Sequence, residues 1–530
     1  MAWQLTIYTL DVGQGDSSLI IAEDVPGGLH RTMLIDGGKS EFSAAVDEAV
    51  ATVLGLRGYN LDYILVTHYD TDHYGGIVGL LNADNMRRVC EVVRDAVVTA
   101  ATNPLRTTRP QRVACGALAV AATLFGAYGA QAGQIATMCN NMVPNVGAWT
   151  DTRAAEYGYQ WADWYTNPNG QNPLRVGKTA REKELTYKAA VAAANAIQLH
   201  MAVPQAVFTA VFAFISTTLP DNLRFDTGGR YRNVRMMDTG LRFQPDVYTN
   251  AVDGIYGTLQ CLKMIAPGID RPTTTPALGA EFLWNSGVAP INAPNNSPAM
   301  FCMARRGYVW QGINNPPLLI GNSDTNQMSI ASVIRFGNFY FYTGGDLTKA
   351  FEEPIATAIR NNPLPNPQNP LLPFPAPPRI AAFKCGHHGS THSTSQNFLD
   401  TMNAVSTVIS CGKAQFGEEN HPSSVITARL QAHGSINKYY LTNCSYATTG
   451  VPASNGQDQL RVGGNKSRVA GQNDLANLNA LRHRGDIELF LTRDQSVGNL
   501  VPQQFRISYY DDDKNIFGVT VGQLTNLLNF

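Results

Sequence analysis

The feature that most constrains this sequence is a short polar turn directly after an apolar run. The run LDYILVTH has the composition of a buried strand and ends at His68. From His68 to His73 the chain then reads H-x-D-x-D-H. Because side chains two residues apart in an extended chain point to the same side, His68, Asp70 and Asp72 can converge. His73 can reach a neighbouring position as the chain turns.

Four potential ligands within six residues favour two adjacent cations over one. A single tetrahedral site would be crowded by neighbours this close, whereas two metal ions roughly 3.5–4 Å apart can share them. The alternative is a solvated acidic turn, since Asp is a common turn residue. A strand that ends directly in H-x-D-x-D-H and is followed by two glycines favours the metal site.

Two metal ions need further ligands, and three later segments offer them. The run FYFYTGGD ends an apolar strand on Asp346, FKCGHHGSTHS contains His387 and His388, and GEENHPSS contains His421 at the start of a predicted helix. Simpler interpretations are a helix N-cap for Asp346, a polar loop for the histidine pair and a surface histidine for His421. Together with the first motif, however, these segments predict one shared site.

The order of elements predicts a mixed α/β (α+β) protein in which helices enclose sheets. The first 80 residues give three strands, a helix and a strand, and a hairpin with Gly337-Asn338 at its turn follows much later. We predict three parts: 1–81, an insertion at 82–320, and 321–530. The insertion is expected to be helical to about residue 217 and irregular from there on.

These motifs together resemble the metallo-β-lactamase superfamily of binuclear metallohydrolases, most closely the hydrolase domain of ComEC-type competence proteins. The matching segments, in the order of the family, are LDVGQGDSSLI (10–20), MLIDGG (33–38), THYDTDHYGG (67–76), YTGGD (342–346), HHGSTHS (387–393) and GEENHPS (417–423). Asp70 stands where the superfamily commonly has a second histidine, a replacement that ComEC-type members share. The insertion is larger than that family implies, and the chain has no membrane channel portion, so DNA uptake is not implied.

The resemblance implies an αββα sandwich with two divalent metal ions, Zn²⁺ or Mn²⁺, at one edge between the sheets. The implied ligands are His68, Asp70 and one of His387 and His388 for the first ion, Asp72, His73 and His421 for the second, and Asp346 as the bridge. Asp72, His73 and Asp346 are also the implied catalytic residues. The assignment of the late histidines stays open.

The implied mechanism uses a water between the two ions, which becomes hydroxide near neutral pH and attacks phosphorus or a carbonyl carbon. Asp70 makes the first site harder and more anionic than a histidine would. We therefore expect Mn²⁺ to support activity at least as well as Zn²⁺.

Other polar residues are candidates for supporting roles. Asp11 and Asp36 are expected near the site, with Asp36 bonded to a ligand histidine, whereas Asp16 is expected to be a turn residue. Candidates for contact with a substrate phosphate are Ser390, His392 and Lys413, for which plain loop structure is the alternative.

The predicted function is that of a metal-dependent phosphodiesterase or nuclease acting on an anionic phosphodiester. Residues 82–320 carry 21 Lys and Arg against 15 Asp and Glu, and the segments 106–112 and 224–235 offer arginines for phosphate contacts. The net charge of −1 gives no overall basic surface. The alternatives are hydrolysis of a small phosphodiester, lactam or thioester, and a degenerate scaffold without activity.

Cysteine usage and the N-terminus predict a cytoplasmic protein. The eight cysteines contain no C-x-x-C pair, which favours a reducing compartment. The first residues lack the features of a signal peptide. The apolar runs 116–130 and 202–217 fall short of the ~20 residues of a membrane span, so we expect buried helices there and no membrane partner.

Overall fold

The computed structural model describes residues 3–25, 27–85, 229–231, 233–240, 242–253, 273–284, 296–369, 371–377, 379–412, 415–416, 419–442, 467–469, 486–492, 504–509 and 524–529. The chain forms two compact units. Unit 1 comprises Met1–Ile77, Val234–Pro245 and Pro272–Phe530, and unit 2 comprises Val78–Asn233 and Asp246–Arg271. The predicted ligands all lie in unit 1.

The strands are β1 (Trp3–Thr9), β2 (Ser18–Asp24), β3 (His30–Ile35), β4 (Tyr63–Leu65), β5 (Arg235–Met237), β6 (Thr273–Thr274), β7 (Ala299–Arg305), β8 (Tyr308–Val309), β9 (Leu318–Leu319), β10 (Ala331–Phe336), β11 (Phe339–Thr343), β12 (Ala382–Lys384), β13 (Ser406–Ile409), β14 (Gln415–Phe416), β15 (Glu419–Asn420), β16 (Lys438–Leu441), β17 (Ser467–Val469), β18 (Ile487–Thr492), β19 (Gln504–Tyr509) and β20 (Leu524–Asn529). The α-helices of the described residues are α1 (Ser43–Gly55), α2 (71–85), α3 (Asp246–Asp253), α4 (Lys349–Asn361), α5 (Gln396–Met402) and α6 (Ser424–Ala432).

The first large sheet has the strand order β20-β19-β18-β1-β2-β3-β4-β5-β6. Its strands are antiparallel from β20 to β3 and parallel from β3 to β6. The change occurs where α1 connects β3 to β4, because a parallel pair needs a crossover connection. The predicted order of three strands, a helix and a strand is confirmed.

The second large sheet has the order β17-β16-β13-β12-β11-β10-β7-β8-β9. The predicted hairpin is confirmed: Phe336 pairs with Phe339 across Gly337-Asn338, and Gly337 has the positive φ of 62° that such a tight turn uses. From β11 to β17 the neighbouring strands are parallel. The predicted final strand pair corresponds to β18 and β19 of the first sheet.

The main hydrophobic core lies between the two large sheets. Trp3 and Ile20 of the first sheet belong to the same buried cluster as Met300, Ile334 and Phe339 of the second. Each fully buried side chain of this size contributes about 1.5–3 kcal/mol relative to an exposed one. Face-to-face packing of the two sheets is therefore a large contribution to the stability of unit 1.

A second cluster covers the other face of the second sheet. Phe351 and Ile355 of α4, Phe398 of α5 and Ile426 of α6 pack there with strand residues such as Phe383. The buried residues of α1, such as Val50 and Leu54, do not belong to the cluster between the sheets. The predicted fold class, a mixed α/β sandwich, is confirmed.

The predicted insertion differs from the structure in its second half. The expectation of irregular structure from residue 218 to 320 is wrong for β7, which pairs with β10 inside the second sheet. Met300 and Cys302 of β7 face one buried cluster while Phe301 and Met303 face the other. The predicted boundary at residue 320 therefore leaves strands of unit 1 inside the insertion.

Within unit 2, the described residues include 78–85 and α3. The side chain of Asn85 donates to the carbonyl of Ala251 at 2.7 Å, and Tyr231 and Tyr248 are buried. The helices predicted over 116–130 and 202–217 lie outside the described residues. Among the described helices, none is both long and apolar enough to traverse a bilayer.

Candidate metal centre

The predicted ligands lie directly after the carboxyl ends of strands. His68 follows β4, Asp346 follows β11, and His387 and His388 follow β12 in a 3-10 turn, Gly386–Gly389. Asp72 and His73 are in the first turn of α2. The two sheets thus bring side chains from distant parts of the sequence to one edge of the sandwich, as predicted.

Asp346 lies at the centre of this group. Its Oδ1 is 3.2 Å from Nε2 of His73. Its Oδ2 is 3.5 Å from Nε2 of His388, 3.6 Å from Nε2 of His387 and 3.9 Å from Nε2 of His68. One carboxylate therefore faces four imidazoles, which is the arrangement expected of a bridging group.

His73 is held from behind by Asp36. The Nδ1 atom of His73 lies 2.8 Å from Oδ2 of Asp36. Asp36 in turn accepts hydrogen bonds from the amide and the hydroxyl of Thr67, at 2.8 and 2.6 Å. The predicted bond between Asp36 and a histidine of the motif is thus present, and it turns Nε2 of His73 towards Asp346.

His388 has its two ring nitrogens in different surroundings. Its Nδ1 lies 3.1 Å from the carbonyl of Ser410 and 3.3 Å from Oδ1 of Asp16. Its Nε2 lies 3.5 Å from Oδ2 of Asp72 and 3.5 Å from Asp346. Nε2 is therefore the nitrogen that faces the group of predicted ligands.

His387 and His421 lie on the outer side of the group. The side chain of His387 is 24% exposed, against 1% for His388. The His421 ring is 5.4 Å from the His387 ring and 6.3 Å from the His388 ring, centroid to centroid. Nδ1 of His421 is 3.4 Å from the side-chain nitrogen of Gln14. The burial of His388 favours it over His387 as the ligand left open by the sequence.

Asp70 lies at the solvent-facing side of the site. Its Oδ2 is 3.7 Å from Nε2 of His68, and its side chain is 38% exposed. Its Oδ1 accepts a hydrogen bond of 2.5 Å from the hydroxyl of Thr325. Because the Thr325 hydroxyl binds Oδ1, the other oxygen of Asp70, Oδ2, faces His68.

The remaining candidates have local partners. The amide of Asp11 donates to Asp486 at 2.7 Å, and the Asp11 carboxylate accepts from the amide of Gly13 at 3.0 Å. Ser390 is buried and its hydroxyl accepts from the amide of His392 at 3.2 Å, while the His392 side chain is exposed. Lys413 lies outside the described residues. Contact of Ser390, His392 or Lys413 with a substrate stays a prediction.

The carboxylates of the site favour the protonated form of two of its imidazoles. Burial alone would lower the pKa of His73, but Asp346 and Asp36 raise it well above the usual range. Burial likewise opposes the charge on His388, but Asp346 and Asp16 raise its pKa well above the usual range. For Asp346, burial opposes ionisation, yet His73 and His388 hold its pKa well below the usual range.

The donor atoms fit a divalent cation. Within the described residues, Nε2 of His68, His73 and His388 and Oδ1 of Asp346 are buried and make no hydrogen bond. Ligand atoms of His68, His73 and Asp346 lie within 4.8 Å of one another, and so do those of Asp72, His73 and His388. Imidazole nitrogens with carboxylate oxygens suit Zn²⁺ and Mn²⁺. The number of ions and their identity stay predictions.

Three residues of the site have a backbone conformation that non-glycine residues rarely adopt. The φ angles are 55° for Asp36, 45° for His387 and 51° for His388. Such conformations cost on the order of 1–3 kcal/mol each and persist where surrounding contacts require them. Here they aim Asp36 and the histidine pair into the group.

Four polar residues near the site were missed or misjudged from the sequence. Asp16, expected to be a turn residue, is buried and forms an ion pair with Lys384, which is buried as well. Gln14 contacts His421, and Thr325 donates to Asp70. The only signal in the sequence was the position of Gln14 and Asp16 in the segment LDVGQGD.

Comparison with known proteins supports the superfamily part of the expected resemblance. No curated protein matches the chain. The matching model is that of the whole superfamily, so it gives no support for the ComEC-type subfamily in particular. The model of the metallo-beta-lactamase superfamily matches residues 10–105, a range that contains the whole H-x-D-x-D-H turn.

Proposed function

We propose that the protein is a metal-dependent hydrolase of phosphodiesters, with nucleic acid as the first candidate substrate. The observation that carries this proposal is that four buried ligand atoms converge although none of them has a hydrogen-bond partner among the described residues. These atoms are Nε2 of His68, His73 and His388 and Oδ1 of Asp346. The superfamily matched by residues 10–105 consists mostly of hydrolases that bind divalent metal ions.

The residues present would hold two cations that share Asp346. His68 and Asp70 would bind on one side, Asp72 and His388 on the other, and Nε2 of His73 lies close enough to both groups to serve either. When bound, such cations act as Lewis acids and lower the pKa of a coordinated water towards neutrality.

The chain's own residues prepare the site for this chemistry. Asp36 fixes the ring of His73, and Thr325 fixes the carboxylate of Asp70. Side chains that are oriented in advance in this way need no reorganisation when the transition state forms. Asp70 and His387 are the more exposed members of the group, so we expect the substrate to approach from their side.

The positive charge of the predicted insertion favours a phosphodiester over a neutral substrate. Residues 82–320 carry a net charge of +6, including the arginines of 106–112 and 224–235. Arginine side chains are suited to phosphate recognition. A nucleic acid with many phosphates would gain most from such a segment.

The test incubates the wild-type protein and Asp72→Asn with Mn²⁺ and four substrates: single-stranded DNA, RNA, bis-p-nitrophenyl phosphate and nitrocefin. We expect degradation of a nucleic acid by the wild type and loss of that activity in Asp72→Asn. Asp400→Asn is the matched control, because the Asp400 side chain is 60% exposed and pairs with His433.

The outcomes separate the parts of the proposal. Turnover of bis-p-nitrophenyl phosphate alone would support a phosphodiesterase but overturn the nuclease. Turnover of nitrocefin alone would overturn the phosphodiester as substrate. A metal-loaded protein that is silent on all four substrates would contradict the hydrolase itself.

A further inference from the structure

The segment Gly13–Asp16, which we call the GQGD loop, is bonded to the main chain on several sides of the metal centre. The Asp16 amide donates to the carbonyl of Asp72 at 3.0 Å, and its carbonyl accepts from the amide of Gly38 at 2.8 Å. The carbonyl of Gly15 accepts from the hydroxyl of Ser410 at 2.8 Å. The loop thus connects the H-x-D-x-D-H turn to the segment after β13.

The side chain of Asp16 faces two partners from β12 and the turn that follows it. One oxygen, Oδ2, forms an ion pair with Nζ of Lys384, and both side chains are almost fully buried, at 4% and 3% exposure. The other oxygen, Oδ1, is 3.3 Å from Nδ1 of His388. Asp16 is therefore a carboxylate shared between a lysine and a predicted ligand.

The position of Asp16 relative to the His388 ring decides what it can do. It lies on the Nδ1 side, with the carbonyl of Ser410, whereas Asp72 and Asp346 lie on the Nε2 side. The hydrogen bond at Nδ1 goes to the carbonyl of Ser410, whereas Oδ1 of Asp16 makes no hydrogen bond among the described residues and acts through its negative charge. Both favour a proton on Nδ1, which leaves the Nε2 lone pair for a cation. Ligand atoms of Asp16, Asp346 and His388 also lie within 4.8 Å of one another, and Oδ2 of Asp16 is 3.9 Å from Nδ1 of His73. Because Oδ2 is paired with Lys384 and Oδ1 faces Nδ1 of His388, we assign Asp16 to orienting His388.

Lys384 supplies the counter-charge of Asp16 in a buried setting. Its Nζ pairs with Oδ2 of Asp16, and neither side chain reaches bulk water. Because a buried charge without a partner is costly, each of the two charges depends on the other.

We propose that the Asp16–Lys384 pair is a positioning device that fixes the ring orientation and tautomer of His388, so that Nε2 is presented to a divalent cation. The inference rests on the proposed function, since it requires a metal centre. It assigns a role to the LDVGQGD segment, which otherwise contributes no predicted ligand.

The experiment compares wild type, Lys384→Met, Asp16→Asn and the double variant D16N/K384M. Melting temperature is measured on all four, and binding of Mn²⁺ and Zn²⁺ by equilibrium dialysis with elemental analysis. Each single variant leaves one charge buried without its partner, so we expect both to melt earlier than the wild type. The double variant removes both charges and is expected to regain most of the lost melting temperature.

Metal affinity separates positioning from a structural role. In the double variant we expect the metal affinity to stay about 10- to 100-fold below that of the wild type. This is the usual effect of removing a carboxylate that hydrogen-bonds or orients a ligand histidine. A double variant that regains both stability and metal affinity would show the pair to be structural only. Asp400→Asn, which breaks an exposed histidine contact, is expected to change neither quantity.

A measurement on the wild-type protein covers the case in which the variants do not fold. Ring ¹⁵N resonances of the Zn²⁺-loaded protein, assigned by comparison with His388→Gln, are expected to show His388 protonated at Nδ1 and not at Nε2. A proton on Nε2 would overturn the inference. A wild-type protein that binds neither metal would overturn the proposed function as well, whereas equal binding by wild type and double variant would refute the positioning role alone.

Discussion

At the scale of single residues, the site is a balance between buried carboxylates and buried imidazoles. Asp346 faces four histidines, and its negative charge raises the pKa of two of them, His73 and His388, while they lower the pKa of Asp346. Burial raises the cost of every charge that lacks a partner. Because metal binding to imidazole displaces the proton, we expect binding of a divalent cation to release protons and to strengthen as the pH rises.

The first prediction concerns Asp346→Asn, which keeps the shape of the side chain and removes its charge. We expect the affinity for Mn²⁺ to fall by more than the roughly 10- to 100-fold that is typical of residues behind the ligands. Hydrolytic activity is expected to fall to background. The measurement is the metal content after dialysis against a fixed Mn²⁺ concentration, with Asp400→Asn as the control. Full metal content in Asp346→Asn would contradict the central place given to this carboxylate.

The sequence was most informative about residues that belong to a short local motif. His68, Asp72, His73, Asp346 and the histidine pair were all identified from short motifs, and the structure brings them together. Of the supporting residues, Asp36 was identified, whereas Asp16, Lys384, Gln14 and Thr325 were not, because their roles depend on contacts between distant segments. Lys384 meets Asp16 across 368 positions, and nothing next to either residue indicates the other.

At the scale of elements, the site is built from loops that follow strand ends and approach one another closely. Gly412, after β13, lies against the GQGD loop, and its amide donates to the side chain of Gln14 at 3.2 Å. Gln14 in turn contacts His421. The closeness of these main chains leaves no room for a side chain at position 412.

The second prediction is that Gly412→Ala destabilises the protein and loosens the site. An added Cβ would lie 2.2 Å from the amide nitrogen of Gln14 and 2.3 Å from the carbonyl carbon of Gly13, both backbone atoms. Overpacking of this kind typically costs about 1–3 kcal/mol. Chemical denaturation provides the measurement. Gly434→Ala is the matched control, since no described atom lies within 4 Å of its added Cβ; equal stability of the two variants would rule out the close approach.

The third prediction concerns α4, which carries a buried carboxylate beneath the histidine turn. Burial raises the pKa of Glu352 from 4.5 to about 8. Its Oε1 is buried without a hydrogen bond and lies next to Gly386. A glutamate that keeps its proton in the folded protein stabilises the fold fully below pH 4.5, and this contribution is lost as the pH rises towards about 8. The difference is on the order of 5 kcal/mol.

We therefore expect Glu352→Gln, which stays neutral at every pH, to match the wild type near pH 5 and to melt at a higher temperature at pH 9. Thermal unfolding at the two pH values gives the comparison. Glu353→Gln is the neighbouring control, because that half-buried side chain accepts a hydrogen bond from Ser395. If Glu352→Gln and the wild type respond identically to pH, Glu352 is not a buried neutral acid.

Elements next to a clear local signal were predictable, whereas β7, which lacks one, was not. The hairpin of β10 and β11 has a Gly-Asn turn between two apolar runs, which is a strong local signal. β7 has the sequence AMFCMAR, in which both alternate sets of residues are apolar because both faces of the second sheet are covered. A strand of this kind shows no alternation and is identified only by its neighbours.

At the scale of the molecule, the described part of unit 1 is a sandwich held together by a core between two sheets. The candidate ligands come from both sheets: His68 follows a strand of the first, whereas Asp346 and His388 follow strands of the second. A cation bound by all three would connect the sheets at their common edge. Binding energy at the site would therefore also oppose the separation of the sheets during unfolding.

The last prediction follows from this connection. A ligand that binds the folded state alone stabilises it by about 2.7 kcal/mol at one hundred times its dissociation constant. We expect Mn²⁺ or Zn²⁺ to raise the melting temperature of the wild type by a few degrees, in a concentration-dependent manner, and a chelator to reverse the change. Asp346→Asn should show little or no shift over the same range of concentrations, because it lacks the charge that both groups of ligands share. Calorimetric scans at increasing metal concentration measure this directly. A wild-type melting temperature that is independent of metal, or a shift of equal size in Asp346→Asn, would mean that the cation does not join the two sheets through this site.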